Sequence, residues 1–377
     1  MKTRFAVCLV ALLVIALTSA PAKAAGYLTK IGQGKDEIPV LVVKGTAYEM
    51  GAAQGRLLKG EIQAFLKQFL SAVQTAEPER CSNENLDAAW RAVAPFTDRR
   101  FKDELRGLAE GSGLPLVMLQ RVHMIPVVGD YSCSSVAAWG KATRNGHLYQ
   151  TRNLDWELRV GAQDHPCIVV YLPQHGAACA NITFTGFIGC NTGMNEHGII
   201  VAEMGDSPGR DYPFDLHGEH FTAMLRHMLQ DATQLDQAIE IMKTSHRIKK
   251  YHFVIGAGQE PRAVKILAHA PNMIVWKDND PSDELAPEVL KDVVYQDEGR
   301  GAFEPLKKMY GQLDHEKMIE ICRRIPIKGG NLLDVVYDGT TCEAWIAYAE
   351  KMDEAYKRPF VHFRLKDYLD FSPPAKR

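Results

Sequence analysis

Apolar residues before residue 133 return at the spacing of a helix. In "AYEMGAAQGRLLKGEIQAFLKQFLSAVQ" they recur every three or four positions, and "LDAAWRAVAPFTDRRFKDELRGLAEGSGL" keeps this character up to its glycines. Residues three and four apart share one face of a helix, so both stretches predict amphipathic helices. The run "IPVLVVKG", which precedes them, predicts a short strand.

From residue 133 onward the pattern changes to that of strands. "CSSVAAWGKA" and "HLYQTRNL" flank Asn145-Gly146, a dipeptide that predicts a two-residue hairpin turn. Further strands are predicted in "CIVVYLP", "FTGFIGCNTGMNEHGIIVAEM", "YHFVIGA", "RAVKILA", "NMIVWK", "NLLDVVYD", "CEAWIAYA" and "FVHFRL". "HFTAMLRHMLQDATQLDQAIEIMKTS" predicts an amphipathic helix, and a shorter helix is expected over 315–324. Strands and helices that are grouped in this way indicate an α+β protein built in layers.

The first 24 residues have the pattern of a secretory signal peptide. Lys2 and Arg4 give a positive start, "FAVCLVALLVIAL" is apolar, and "APAKA" supplies small residues for cleavage between Ala24 and Ala25. The apolar run is short for a bilayer-spanning helix, so no stable membrane anchor is expected. We therefore expect a periplasmic or secreted protein.

Composition excludes some partners and raises a question about the cysteines. The formal net charge is −2, without the basic excess that nucleic-acid binding requires. An odd number of cysteines in the mature chain of an exported protein leaves at least one outside intrachain disulfides. The cysteines after residue 24 are Cys81, Cys133, Cys167, Cys179, Cys190, Cys322 and Cys342.

Cys133 opens the first strand of the predicted hairpin, and its second strand ends in Arg-Asn-Leu-Asp. A hairpin places Arg152 and Asp155 within roughly 10 Å of the thiol. These two residues are three apart and face opposite sides of a straight strand, so both reach the thiol only if the chain bends near Asn153. The alternative is a surface cysteine beside an exposed ion pair.

Activation of the thiol requires a base, and the sequence offers an unusual one. If the peptide bond between Ser132 and Cys133 is cleaved, Cys133 gains an α-amino group whose reference pKa is about 8. Such an amine acts as a base at neutral pH. An adjacent arginine would lower the pKa of the thiol, and an aspartate would orient the amine.

The segment "CSSVAAWGKATRNGHLYQTRNLDW" resembles the nucleophile hairpin of the N-terminal-nucleophile cysteine hydrolases, which include penicillin acyltransferases, choloylglycine hydrolases and acid ceramidases. "GCNTGMNEHGIIVAEM", "FTAMLRHMLQDATQLDQAIEIM" and "GNLLDVVYDGTTCEAWIAY" resemble later segments of the same group. "VVKGTAYEMGAAQGRLLKGEI" is similar to the propiece of the penicillin-acyltransferase branch. The resemblance implies a four-layer αββα fold, with a helical prosegment over 25–132 and a catalytic domain over 133–377.

The resemblance also implies roles for individual residues. Cys133 falls on the nucleophile, Asp155 on the aspartate that binds the new α-amino group, and Arg152 on an arginine beside the thiol. Asn195 falls on an asparagine that lines the pocket in the bile-acid branch. Its alternative interpretation is a turn residue between two strands.

Three positions depart from the family pattern. The oxyanion-hole asparagine usually follows a later strand in a Thr-Asn dipeptide, whereas this chain has "WKDNDPSD" and "VVYQDEGRG", so Asn279 is a candidate by position. The late arginine of the family could be Arg323 or Arg324, but for both the favoured interpretation is a charge on a helix. Ser132 precedes the nucleophile, where the penicillin enzyme has glycine.

The function expected from these residues is that of an exported, autoprocessing cysteine amidohydrolase or acyltransferase. It would cleave a linear amide of a small molecule through a thioester on Cys133, without metal or organic cofactor, and hydrolysis is the expected outcome. The cut prosegment and catalytic chain would remain together as a heterodimer.

Three alternatives remain open at this point. The first is an internal-cysteine hydrolase that is not cleaved, and the second is a disulfide-stapled exported binding protein. The third is a metal site that uses His217 and His220 of "HGEH", although this stretch more often caps the helix that follows it.

Overall fold

The helices predicted before residue 133 are present in the computed structural model, which describes residues 25–129, 131–205, 215–268, 272–278, 280–297 and 299–372. The predicted signal peptide lies outside these residues. The helices are α1 (Ala47–Leu57), α2 (Lys59–Ala76), α3 (Asn83–Val93), α4 (Arg99–Ser112) and α5 (Leu116–Val128). Thr46 and Glu49 form a capping box at the start of α1, and Gly113, with φ of 75°, ends α4.

The region 25–132, predicted to be a helical prosegment, also contributes two strands to a nine-stranded sheet, so it is not purely helical. The strand predicted at "IPVLVVKG" is β2 (Ile38–Gly45), which pairs with β1 (Ala25–Ile31) on one side and runs parallel to β5 (Pro166–Pro173) on the other. The sheet has the order β1-β2-β5-β6-β7-β8-β9-β10-β11. Its other strands are β6 (Cys179–Phe184), β7 (Thr192–Asn195), β8 (Ile199–Met204), β9 (Tyr251–Ala257), β10 (Arg262–Ala268) and β11 (Met273–Trp276).

The second sheet carries the predicted nucleophile hairpin at its centre. Its order is β12-β3-β4-β13-β14-β15, and neighbouring strands are antiparallel. The strands are β3 (Ser132–Gly140), β4 (Gly146–Asp155), β12 (Val293–Gln296), β13 (Asn331–Asp338), β14 (Glu343–Tyr348) and β15 (Val361–Arg364). Strand β3 begins at the predicted cleavage junction, which therefore lies inside a sheet and not in a linker.

The two sheets pack face to face between helical layers, which confirms the predicted αββα fold. Strands β8, β9 and β10 contact β3 across the interior. Helices α6 (Phe221–Asp231) and α7 (Leu235–Thr244) cover the nine-stranded sheet together with α1, and α9 (His315–Cys322) packs on β4 and β13. Leu306 of α8 (Phe303–Lys308) shares a buried apolar cluster with Val136 of β3. Within the described residues, no helix combines the length and apolar character needed to cross a membrane.

The register of the hairpin differs from the prediction. Asn145-Gly146 does not form a two-residue turn, because Gly140 pairs with Gly146 and residues 141–145 form the loop. The Asn145 side chain accepts a hydrogen bond from His147 N (3.2 Å) and Gly146 has φ of 76°, so the dipeptide closes a longer loop. Cys133 consequently faces Leu154 and Ser132 faces Asp155, about four residues from the register of a two-residue turn.

The helix predicted across "HFTAMLRHMLQDATQLDQAIEIMKTS" is two helices. Ala232 adopts an extended conformation and ends α6, and the Thr233 N–H donates to the Gln237 side chain as α7 begins. No disulfide forms within the described residues, where all seven cysteines are buried and unbridged. Their burial among apolar side chains accounts for their presence as small core residues.

Candidate active site

Cys133 is the second residue of β3, and its side chain points into the space between the two sheets. The thiol is fully buried and accepts a hydrogen bond from Arg152 Nη2 at 3.2 Å. Burial raises the pKa of Cys133 to about 12, against the charge of Arg152 and a hydrogen bond from the Gly205 backbone N–H, which lower it. In this structure the thiol is therefore neutral at physiological pH.

Arg152 lies on β4, two residues before the direct partner of Cys133, and therefore on the same face of the sheet. The Nη2 atom is 3.9 Å from Glu203 Oε2, a carboxylate that β8 supplies from the opposite sheet. Burial lowers the pKa of Arg152, but its coulombic interactions with Cys133 and Glu203 outweigh this effect and the net shift is upward. The guanidinium is therefore a permanent positive charge beside the thiol.

Asp155 occupies the opposite face of β4, where it stands across from Ser132. Its Oδ2 accepts hydrogen bonds from Arg300 Nη1 (2.9 Å) and from the Ile327 N–H (2.9 Å), and its Oδ1 accepts one from Asn331 Nδ2 (3.0 Å). Burial raises the pKa of Asp155, and these hydrogen bonds oppose the rise. The predicted bend near Asn153 is not needed. Arg152 contacts the Cys133 thiol on one face of the sheet, and Asp155 lies beside Ser132 on the other.

Arg300 is a site residue that the sequence did not reveal. It follows β12, and besides Asp155 it donates from Nη2 to Cys133 O (3.1 Å) and to Ser132 Oγ (3.3 Å). The predicted late arginines are elsewhere: Arg323 donates to Arg358 O, and Arg324 pairs with Glu320 on α9. The signal for Arg300 was the "DEGRG" segment after an apolar run, but its partners at the junction, Asp155, Ser132 and Cys133, are more than 140 residues away in sequence.

Asn331 and Asp334, both on β13, form a second layer behind Asp155 that was also missed. Asn331 Nδ2 bridges Asp155 and Asp334 Oδ1 (2.7 Å), which also accepts from Asn153 Nδ2 (2.6 Å). Burial raises the pKa of Asp334 to about 8, so its carboxyl is largely protonated at neutral pH. The network holds Asp155 in one orientation without adding a second negative charge.

The remaining candidates have other surroundings. The Asn195 side chain donates to Leu229 O and Ala232 O, and its Oδ1 accepts from the N–H groups of His197 and Ile199. These contacts are those of a turn residue that also caps the end of α6. Asn279 lies outside the described residues.

His220 caps α6, as the helix-cap interpretation predicted. Its Nδ1 accepts from the Thr222 N–H and its Nε2 contacts His123 O at 2.8 Å. His217 is exposed and contacts Asp215. In the described part of the chain, no three metal-binding side chains come together.

A narrow, mostly apolar cavity of about 70 Å³ lies next to the Arg152 side of this site. Residues from both sides of the predicted junction line it. The aromatic lining residues are Phe69, Tyr131, Trp156, Phe184 and Phe187. Because residues before position 132, such as Phe69 and Tyr131, close one side of the cavity, it leaves little room for a substrate beside Cys133.

A buried thiol at the start of a central strand, flanked by a cation and an aspartate within an αββα sandwich, is the arrangement that the resemblance to the N-terminal-nucleophile hydrolases predicts. The family model described as "Acyl-coenzyme A:6-aminopenicillanic acid acyl-transferase" matches residues 142–281. The protein dcd1B of Dictyostelium discoideum is 27% identical over 395 aligned positions, covering 93% of this chain and 78% of the relative.

Two further relatives are named as amidases. The N-acylethanolamine-hydrolyzing acid amidase of Mus musculus is 22% identical over 177 positions, which cover 45% of this chain and 47% of that protein. The solved structure of a Caenorhabditis elegans orthologue of that amidase has a TM-score of 0.44 and 14% identity, with coverage of 60% of this chain and 97% of that chain. These matches agree with the resemblance found in the sequence: residues 142–281 match the penicillin-acyltransferase family model, and part of the chain is similar to a protein named as an amidase.

Proposed function

We propose that the protein is an exported cysteine amidohydrolase that cleaves its own chain between Ser132 and Cys133 and then hydrolyses a linear N-acyl amide. Cys133 is the nucleophile, its new α-amine is the base, Arg152 stabilises the thiolate and Asp155 orients the amine. The substrate is a small molecule, and the acyl group passes through a thioester on Cys133 to water.

One observation carries this proposal: two charged side chains flank the Ser132–Cys133 junction from opposite faces of β4. Arg152 Nη2 is 3.2 Å from the thiol, whereas Asp155 stands across the strand pair from Ser132. The thiol and the new amine of Cys133 need charges of opposite sign on opposite sides. The cation of Arg152 must face the sulfur, and the anion of Asp155 must face the nitrogen.

Cleavage supplies what the uncut chain lacks. The sulfur attacks the Ser132 carbonyl carbon, a carbon–sulfur bond forms, the carbon–nitrogen bond breaks, and the thiol proton passes to the nitrogen. Water then hydrolyses the thioester, which returns the thiol and leaves a Ser132 carboxylate. The α-amine so released is a base with a reference pKa of about 8, whereas the buried thiol alone has a pKa of about 12.

Contacts between the two pieces support a heterodimer after cleavage. Glu104 of α4 and Arg226 of α6 form a fully buried ion pair at 3.2 Å, and Arg100 of α4 makes a bidentate contact with Asp231. Strand β2 stays paired with β5 across the same boundary. Separation would leave the buried charge of Arg226 without its partner, which is strongly unfavourable.

Intact mass and a reducing gel test the cleavage. A mean residue mass taken from 42.0 kDa over 377 residues gives about 12 kDa for residues 25–132 and about 27 kDa for residues 133–377. Cys133→Ala should remain one band, and iodoacetamide should label Cys133 in the native cut enzyme. A fully active wild-type enzyme with an intact Ser132–Cys133 bond would replace this mechanism with that of an internal-cysteine hydrolase.

Export is tested separately on protein from the native host. Edman or mass-spectrometric sequencing should find Ala25 at the amino terminus, in a periplasmic or secreted fraction. Met1 or Lys2 on the recovered protein would contradict export by a cleaved signal peptide.

A further inference from the structure

Tyr131, the last aromatic residue before the junction, is held between the two sheets as a bound ligand would be. Its hydroxyl donates to Glu203 Oε1 at 2.9 Å, and its ring lines the apolar cavity beside Phe69 and Phe187. Burial and the Glu203 charge raise the pKa of Tyr131 well above its usual value, so the phenol stays protonated and remains a donor.

Gly205 fits closely beneath Tyr131 and contacts the nucleophile as well. A Cβ at Gly205 would lie 2.5 Å from Tyr131 O and 3.3 Å from a ring carbon, so no larger residue fits there without displacement. The Gly205 N–H donates to the Cys133 thiol. The same backbone segment therefore shapes the space for Tyr131 and the space around the reacting sulfur.

Glu203 has further capacity to accept a hydrogen bond. Among the described residues, no donor lies within hydrogen-bond range of Oε2, although the atom is fully buried and 3.9 Å from Arg152 Nη2. Arg152 itself is 3.2 Å from Cys133 Sγ. Glu203 is thus a buried carboxylate with an unused acceptor atom, and only the Arg152 guanidinium separates it from Cys133. It can bind a hydrogen-bond donor of a ligand in an otherwise apolar site.

The chemistry of cleavage links Tyr131 to the substrate. In the first half of the proposed self-cleavage, the acyl part bonded to Cys133 Sγ is the Ser132 carbonyl with Tyr131 attached. In each later turnover the same sulfur carries the acyl group of the substrate. Before cleavage, Tyr131 and Ser132 therefore occupy the place that the acyl group of the substrate must occupy in the cut enzyme.

We propose that the acyl part of the substrate takes the place of Tyr131, and that Glu203 selects acyl groups that are aromatic and carry a hydroxyl or another hydrogen-bond donor. This inference rests on the proposed function and adds the substrate class to it. Cleavage leaves residues 131 and 132 tethered from one side, so they can vacate the site. Phe69, Phe184 and Phe187 then surround the aromatic part of the acyl group, and Glu203 binds its donor.

Two probes that differ by one hydroxyl test this assignment on the cut wild-type enzyme. They are the 4-nitroanilides of acetyl-Tyr-Ser and acetyl-Phe-Ser, which reproduce residues 131 and 132 on the acyl side. The expected kcat/KM for the tyrosyl probe exceeds that for the phenylalanyl probe by about 10- to 100-fold, since a buried carboxylate discriminates strongly for a donor. Equal values would overturn the inference and leave the amidase function standing.

Variants locate the preference in Glu203. Glu203→Gln keeps the size of the side chain and removes its charge, so the ratio between the two probes should fall toward one. Glu196→Gln makes the same change in the turn after β7, where the carboxylate accepts from Ala178 N–H, and should leave the ratio unchanged. A ratio that survives Glu203→Gln in full would contradict the assignment.

A binding measurement covers the case in which neither anilide is turned over. The free acids acetyl-Tyr-Ser and acetyl-Phe-Ser are added while iodoacetamide labels Cys133 of the cut enzyme. The tyrosyl acid should slow labelling at concentrations about tenfold or more below those that the phenylalanyl acid needs. Equal protection would overturn the inference, whereas a chain that is never cut would overturn the proposed function and this inference together.

Discussion

Cys133 and Cys322 are both fully buried, and they lie on opposite faces of the same six-stranded sheet. Each sulfur has one side-chain nitrogen at 3.2 Å: Arg152 Nη2 for Cys133, and Asn153 Nδ2 for Cys322. The distances are equal, but the first nitrogen belongs to a cation and the second to a neutral amide. Two neighbouring residues of β4 therefore give two buried thiols different electrostatic surroundings.

The difference separates a packed thiol from one that can be activated. Burial raises the pKa of both thiols, and for Cys322 the charge of Asp334 adds to the rise. Cys133 has the opposing charge of Arg152. The proposed mechanism adds its own amine after cleavage. Burial alone makes a cysteine inert, so the neighbouring cation and base determine which thiol can act as a nucleophile.

The largest expected effect follows from exchanging the two sulfurs in turn. Cys133→Ser should lower amidase activity by about 10³-fold or more and prevent normal self-cleavage, because a hydroxyl is a far weaker nucleophile at neutral pH. Cys322→Ala is the matched control, since it removes an equally buried sulfur, and it should retain activity within about twofold while costing some stability. Both variants are compared by kcat/KM and by reducing gel. If Cys322→Ala lost turnover but unfolded at the normal temperature, the claim that only Cys133 acts in catalysis would be wrong.

Asp155 offers a sharper test, because its negative charge raises the pKa of both thiols. If Asp155 acted mainly through the thiol, Asp155→Asn would lower the pKa of Cys133 and increase its reactivity. If Asp155 orients the amine, the same change should decrease kcat by about 10²-fold in the cut enzyme. The proposed mechanism requires the second result.

Asp353→Asn is a suitable control for Asp155→Asn, since Asp353 pairs with Arg358 away from the site. Circular dichroism and thermal unfolding show whether Asp155→Asn is folded despite the altered partner of Arg300. A folded variant with faster turnover would reject the role of Asp155 at the amine.

The sequence predicted the helices and strands around the two thiols better than it predicted the register in which the strands pair. The helical spacing before residue 133 and the alternation after it depend on local periodicity, and both were confirmed. Arg152 and Cys133 also lie within one hairpin, so their contact depends on short-range pairing. By contrast, the register depended on a loop at 141–145 whose length is set by contacts such as Lys141 N with Asp292 Oδ2, which lies in a distant segment.

Arg300 and Asn331 could not be derived from local patterns for the same reason. They reach Asp155 only because β12 and β13 flank the central hairpin, and neither strand position follows from periodicity alone. A polar side chain in a loop and one at the start of a strand are ordinary features of a sequence. Their functional placement becomes visible only when the sheet order is known.

The smallest expected effect concerns the cation that distinguishes the two thiols. Arg152→Met removes the charge beside Cys133 and should slow labelling of Cys133 by iodoacetamide by about tenfold at a fixed neutral pH, the change that one pKa unit produces. Burial raises the pKa of Glu203 to about 7 even beside Arg152. Glu203 can therefore become protonated in Arg152→Met, so the substitution does not leave an unpaired buried carboxylate.

Arg152→Lys should recover most of the labelling rate because it restores a positive charge. Arg323→Met is the matched control, because it removes a positive charge near Cys322. Labelling of Cys322 should remain negligible in every variant. An unchanged labelling rate of Cys133 in Arg152→Met would show that the thiol owes its reactivity to the amine alone.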